Sequence, residues 1–399
     1  MATKTGVSYS NRTNSKAAAI EAAAKALENG GIKKASFALI FCSGKHNAQD
    51  FLEGIRSVLG DIPLAGGSSI GIITKNFIGY EGFEVGVTVF ESDTLSFQVF
   101  AQPDINLDEK KAGEALGKQI EDAAGDNGQA LLVFYDSSKQ QSPPMLNFAT
   151  WLFEGLEKHL PKHITCAGGG LLGDMLLSTT YQFYNNEVRT QNAVAVLISG
   201  KCRMNTIIMH GCKPSSAYLQ ITKANGPVLS EIDNRPALEV IDELLGNNHG
   251  IKWKDFSLFV TLGLNRGPKF GAFNEKEYSN RLVLAVDEAS RSLIMFEPDL
   301  KEGDEIQLMR RSIDMDYIHV GIDDLKSKLQ GATPVFSFYI NCAGRAKPYA
   351  GGEFEDAEEV QKEIGLIPFM GFYSGVEVAK VKDKLQPLDW TGVLCMISE

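Results

Sequence analysis

One heptamer written twice constrains this chain more than any other feature. AGGSSIG (Ala65 to Gly71) and AGGGLLG (Ala167 to Gly173) each follow a short apolar strand, at matching places in two strand-helix-strand series. Such self-similarity marks a fold built from a repeated unit. The first series runs from an Ala-rich helix, Lys16 to Glu28, with Ser15 as its cap and Asn29-Gly30-Gly31 as its stop. Strand SFALIFC (Ser36 to Cys42), a helix from Gln49 to Leu59, strand DIPLAGG and two or three strands up to Phe100 follow. The second repeats this order. A helix from Leu107 to Ala123 leads to strand ALLVFYD (Ala130 to Asp136), and a helix opened by Pro143-Pro144 ends near His159. Strands HITCAGG, NAVAVLIS (Asn192 to Ser199) and MNTIIMHG (Met204 to Gly211) close it.

A third copy ends the chain: strand PVFSFYINC, helix Glu355 to Ile364, strand IPFMG, a Gly-Phe-Tyr-Ser-Gly turn and strand TGVLCMIS (Thr391 to Ser398). Before it lie a helix from Pro236 to Leu245 and strands FSLFVTLG, RLVLAV, SLIMF and EIQLM. Strands outnumber helices and several are consecutive. The expected class is therefore α+β, with mixed or antiparallel sheets in two layered domains and helices on the outer faces. The boundaries read as 1–34 (a segment whose helix packs on the first domain), 35–230 with two internal repeats, and 231–399, joined near the polar stretch Thr222 to Pro236.

Several function classes fall away early. A net charge of -11 with no basic cluster longer than a pair argues against nucleic acid. No apolar run is long enough to span a bilayer and the N-terminus lacks a secretory h-region, so a cytoplasmic protein is expected. The six cysteines form no C-x-x-C pair and no metal spacing, and Pro161 breaks the helix that would align His159 with His163. Phosphate-cradle and common hydrolase motifs are absent, which argues against an enzyme.

The polar residues of interest sit where strands end. The AGG segments read as tight turns, or alternatively as an anion-binding nest completed by Ser68 and Ser69. Arg345, three residues past Cys342, would offer a fork of donors to a carboxylate, or would pair internally with Glu353, Glu355 or Glu377. Cys342 beside a guanidinium would have a lowered thiol pKa; otherwise it is a small buried hydrophobe. With Asn341, Phe372, Tyr373, Ser374 and Glu377, these residues suit a zwitterionic metabolite: Arg for the carboxylate, Glu for the amine, hydroxyls between.

The run from VFSFYINCAGR to IPFMGFYSGVEVA, with the earlier IPLAGGSSIG, resembles the paired N- and C-terminal FIST domains over about Ala35 to Ser398. The closest part of the likeness is the C-x-G-R motif and the following P-x-x-G-F-[YF] stretch, although Val376 stands between Gly375 and Glu377 where the family commonly has a Gly-Glu pair. The resemblance implies a sensory module that binds a small ligand, amino acids having been proposed. It also implies that the signal passes to a histidine kinase, a cyclic-dinucleotide enzyme or a chemotaxis protein. No such output region is legible, so a partner in trans or a homo-oligomer is expected to carry the signal. No cofactor is expected. The alternatives are a haem-binding nitric-oxide sensor, which would need His210 or His319 as axial ligand, an interaction scaffold, and an enzyme with Cys342 as nucleophile.

Overall fold

The computed structural model describes residues 3–80, 82–142, 145–246, 252–253, 259–312, 314–350 and 355–399. The α+β class, the mixed sheets and the outer helices are as expected. The repeat is threefold and regular. Each unit contributes four strands and two helices. In unit 1 the strands are Lys4–Ser10, Phe37–Ser43, Leu64–Ser69 and Val85–Glu91; in unit 2, Leu95–Gln102, Gly128–Asp136, Thr165–Leu171 and Ala193–Gly200; in unit 3, Arg203–Met209, Pro334–Cys342, Phe369–Ser374 and Gly392–Ser398. Every unit places them in the order first, fourth, second, third, with only the second and third parallel.

Each unit also lends a hairpin to a neighbour. Gly71–Thr74 and Phe77–Tyr80 of unit 1 extend the sheet of unit 3 at its third strand. The hairpin Gln182–Tyr184 with Glu187–Arg189 leaves unit 2 for unit 1, and Glu377–Val381 with Lys384–Leu388 leaves unit 3 for unit 2. The exchange is cyclic, so each sheet contains strands of two units. The inner faces of the three sheets meet in one core, where Phe41 lies 5.2 Å from Phe134 and stacks on Phe372 at 4.6 Å. Helices cover the outer faces with separate apolar clusters. Burial on both faces explains the near-continuous apolar runs of the second strands.

Between the first strand and first helix of unit 3 the chain inserts a six-stranded antiparallel barrel. Its strands are Leu219–Asn225, Val228–Ile232, Thr261–Asn265, Tyr278–Asp287, Ser292–Met295 and Glu305–Arg311, and the last closes on both the first and the third. Thr222 to Pro236, expected as the joint between halves, is thus part of a barrel hairpin.

Other expectations shift locally. The AGG segments are strand interiors, and Phe372 to Ser374, expected in a turn, belong to a strand. Asn14 rather than Ser15 caps the first helix, accepting from Ala17 N at 2.9 Å. The second helix of unit 2 spans Ala149–Glu157. Pro143-Pro144 and the first residues of FSLFVTLG lie outside the described residues.

Candidate functional site

The second and third strands of unit 3 run parallel and finish side by side at Cys342 and Ser374. Parallel strands deliver their exits to one end of a sheet, where loops diverge and leave a crevice. Here the crevice is a cavity of about 310 Å³ roofed by the barrel and closed by unit 2. Unit 3 supplies Cys342, Ala343, Gly344, Pro348, Tyr349, Ser374, Gly375, Asp389 and Trp390; unit 2 supplies Leu172 and Met175; the barrel and its loops supply Phe259, Leu282 and Phe296. Among the described residues the lining contains four aromatic side chains and one carboxylate but no Lys, Arg or His.

Of the nine residues singled out from sequence, Cys342 and Ser374 line this cavity. Arg345 does not. It is fully buried, and its donors are taken by protein: Nε by Asp356 at 2.6 Å, Nη1 by the carbonyls of His210 at 3.0 Å and Trp390 at 2.7 Å, Nη2 by Asp356 and by Tyr317 Oη at 2.9 Å. A guanidinium has five N–H groups, so no fork is left for a ligand carboxylate. The internal partner is Asp356, not Glu355 or Glu377; Glu353 lies outside the described residues.

Cys342 is not an activated thiol. Burial, and then the neighbouring Glu377, push its pKa well above the usual thiol value, and the opposing influence of Arg345 is smaller. Glu377 is sealed inside: Oε1 accepts from Ser374 Oγ at 2.6 Å and Oε2 from Thr391 N at 3.2 Å. Burial and the nearby Asp389 raise its pKa well above the carboxylate range. It therefore fixes the strand exit to the Thr391 turn and is not presented to an ammonium.

The others are structural in these contacts. Phe372 belongs to the central core, Tyr373 meets Tyr80 edge-on at 5.8 Å, and Asn341 is buried with both amide atoms unpartnered among the described residues. Ser68 Oγ accepts from Tyr181 N at 2.9 Å, and Ser69 Oγ lies 2.6 Å from the Gly71 carbonyl and 3.1 Å from that of Tyr373. Both serines are fully buried, which removes the anion nest.

Sequence reasoning missed Asp389 and Trp390, which lie in the bend just before the fourth strand. Asp389 Oδ2 accepts from Leu282 N at 2.8 Å, whereas Oδ1 and Trp390 Nε1 have no partner among the described residues. Trp390 holds a left-handed φ of 48°, a conformation rare for a bulky residue, and Arg345 grips its carbonyl. Such strain at a cavity wall was not legible from the composition of LDWTG.

Nearby, Glu297 accepts from Ala149 N at 3.1 Å and Thr150 N at 2.8 Å, so a barrel carboxyl caps the second helix of unit 2. Its neighbour Phe296 lines the cavity. Burial is the main cause that lifts Glu297 to about 8, Asp389 to about 7 and Glu355 to about 7. These groups keep protons that the unfolded chain releases near pH 4, so their contribution to stability is present below that pH and lost as pH rises through 7 to 8. Urea melts should accordingly show stability falling between pH 5 and pH 8. Asp389→Asn should flatten that slope by up to about 1.4 kcal/mol per pH unit. A wild-type profile that is level or rising over this interval would contradict the burial of these carboxyls.

An uncharacterised protein of Methanocaldococcus jannaschii is 24% identical over 285 residues, 66% of this chain and 51% of the relative. An uncharacterised protein of Mycobacterium tuberculosis is 24% identical over 233 residues, 58% of this chain and 60% of the relative. The matched segments thus span about half to three-fifths of these relatives. Among solved structures, a cyanuric acid hydrolase from A. caulinodans aligns at 8% identity and TM-score 0.40 over 99% of both chains. A chorismatase aligns at 7% identity and TM-score 0.37 over 100% of both. Likeness that weak carries nothing about chemistry. The FIST N domain matches residues 36–235 and the FIST C domain residues 237–380, so the chain belongs to the FIST family, whose domains are recognised as sensory domains of signal transduction.

Proposed function

We propose that this protein is a small-ligand sensor whose binding site is the cavity between the strand exits of unit 3, unit 2 and the barrel. The observation that carries this reading is the cavity itself: about 310 Å³, mostly apolar, with two buried polar atoms on wall residues that have no partner among the described residues. A preformed apolar crevice with a few convergent polar groups is the usual form of a small-molecule site. It also lies where three parts of the molecule meet, so a ligand would bias their packing. Such differential contact is what a sensor needs. The output would pass in trans to a signalling partner, or through self-association.

The contacts lend the carboxylate version little support, because Arg345 is engaged by Asp356 outside the cavity and no cation lines it among the described residues. Haem has no better claim. Both ring nitrogens of His210 are bonded, to Cys212 N and the Glu275 carbonyl, and His319 pairs with Glu363 at 3.0 Å. Neither lines the cavity.

Gly344 offers a direct test. A Cβ there would meet only Cys342 Sγ among the described residues, at 3.9 Å, so a side chain can begin at this position of the cavity wall without a clash. Gly344→Leu should leave the melting temperature of the free protein near wild type and abolish ligand-induced stabilisation. For a ligand at a hundred times its Kd that stabilisation is about 2.7 kcal/mol. Undiminished stabilisation of the leucine variant would place the site elsewhere.

A further inference from the structure

The charges around the cavity are unbalanced in one direction. Arg281 is held by Asp299 through Nε to Oδ1 at 2.6 Å and through Nη2 to Oδ2, and gives Nη1 to the carbonyls of Asn280 and, at 2.8 Å, Pro387. Arg345 is likewise held by Asp356. Each of these two buried guanidiniums is bonded to a carboxylate, and Asp356 is shared with Arg311. Three further buried carboxyls, Glu297, Glu377 and Asp389, have no cation bonded to them among the described residues. Glu297 and Glu377 spend both oxygens on protein donors. Asp389 alone keeps one free, and it alone of the three is part of the cavity wall.

The rest of the wall suits the same partner. Trp390, Phe259, Phe296 and Tyr349 line the space, with Phe259 edge-on to Trp390 at 5.8 Å. Aromatic faces attract cations, and most strongly where water is excluded. An anionic ligand would meet an excess of carboxyls without one positive side chain among the described lining residues. A neutral ligand would leave a buried carboxylate uncompensated when ionised.

Resting on the reading of this cavity as the sensor's site, we propose that its ligand is a small organic monocation, an amine with an apolar body, whose charge is matched by Asp389 and whose body packs on the aromatic wall. The ligand class differs from a zwitterionic amino acid, which would bring a carboxylate with no partner. Asp389 faces Arg281 and Asp299 of the barrel, Glu297 of the adjoining loop, Tyr135 of unit 2, and Cys342 and Glu377 of unit 3. Arg281 favours its ionised form, and burial, the stronger influence, opposes it. The binding-competent ionised fraction grows through pH 7, and Glu297, titrating just above, adds negative charge in the same direction.

The test is calorimetry with three probes of one shape and different charge: 2-phenylethylamine, 2-phenylethanol and 3-phenylpropionate. The amine should bind at least tenfold tighter than the alcohol at pH 8, and the acid not at all. Between pH 6 and pH 8 amine affinity should rise about tenfold, following the ionised fraction of a group near 7. Asp389→Asn keeps an acceptor for Leu282 N–H and should lose at least tenfold for the amine and nothing for the alcohol. Should that variant fold poorly, Met175→Lys is the second probe. Met175 is 37% exposed at the cavity wall, so a lysine there is tolerated and should weaken the amine tenfold while favouring the acid. An acid that binds as tightly as the amine, or an amine indifferent to pH and to both substitutions, overturns the proposal. If the alcohol or the acid binds and Gly344→Leu blocks it, the cavity stands and the cation falls. If no probe and no screened compound stabilises the protein, both fall together.

Discussion

Arg345→Ala should cost about 3–5 kcal/mol of stability in denaturant melts, the usual loss when one partner of a buried ion pair is removed. Arg345 and Asp356 are both fully buried, and Asp356 is also gripped by Arg311. The carboxyl of Asp356 is held below its ordinary range, Arg345 being the largest of the favourable influences that overcome burial. Without the guanidinium, Asp356 would keep Arg311 as its cation, and the carbonyls of His210 and Trp390 would lose this donor. Unpaired buried carbonyls are themselves costly. Arg345→Lys keeps the charge but cannot reproduce a fork with five donors, so it should recover only part of the loss. Asp356→Asn should be destabilising too, and the double variant less so than the sum of the two, because the residues share one network. An unchanged denaturation midpoint, with loss confined to the binding of carboxylate compounds, would restore Arg345 as a ligand-binding residue. Because Arg345 also fixes the Trp390 turn, ligand affinity should fall as a secondary effect, for cations as much as for any other class.

The same residue shows how far a sequence can speak. That Arg345 follows a buried strand is visible in the letters NCAGR; whether its donors face a ligand or Asp356 depends on a helix whose packing is a three-dimensional fact. The repeated unit was legible because AGG recurs, yet the third copy hides it as Met370-Gly371-Phe372. Packing on the pseudo-threefold axis accounts for this. A Cβ on Gly169 would come within 3.2 Å of the Phe372 ring, so one phenylalanine fills space that glycine leaves in another unit. The first strand, Lys4–Ser10, was missed although its burial alternates, because Val7 and Tyr9 among five polar or small residues carry little apolar signal. Leu219–Asn225 was read in part as a linker for a related reason: barrel strands with a solvated face look like loops when only one side is buried. The hairpin exchange was beyond reach. Pattern fixes which residues pair on a face, but not whose sheet they join. Asp389 and Trp390 were overlooked because their partners in the cavity come from unit 2 and from the barrel, far away in sequence.

Gly66→Ala should be at least as damaging, at about 3 kcal/mol or more, for a reason that the repeat makes testable three times. Gly66 pairs with Ile40 on the neighbouring parallel strand, Gly168 with Val133 and Gly371 with Tyr339, the same register in each unit. A Cβ at these positions would lie 1.7 Å from the Ile40 carbonyl oxygen, 2.3 Å from that of Val133 and 2.5 Å from that of Tyr339. Backbone oxygen in a paired strand cannot rotate away as a side chain can. The strands must separate, at a cost beyond ordinary core overpacking of about 1–3 kcal/mol. Gly66 adds a φ of 147°, which an alanine does not adopt without strain. The expected order of destabilisation is Gly66, then Gly168, then Gly371. Gly125→Ala, at a positive φ but with nothing within 4 Å, should cost only about 1 kcal/mol. Losses at Gly66 and Gly125 alone, the two with a positive φ, with Gly168 and Gly371 tolerating alanine, would mean that conformation rather than contact sets the requirement. Gly371→Ala, although mildest of the three, should affect ligand binding most, because Gly371 spaces the two strands whose exits, Cys342 and Ser374, form the cavity wall.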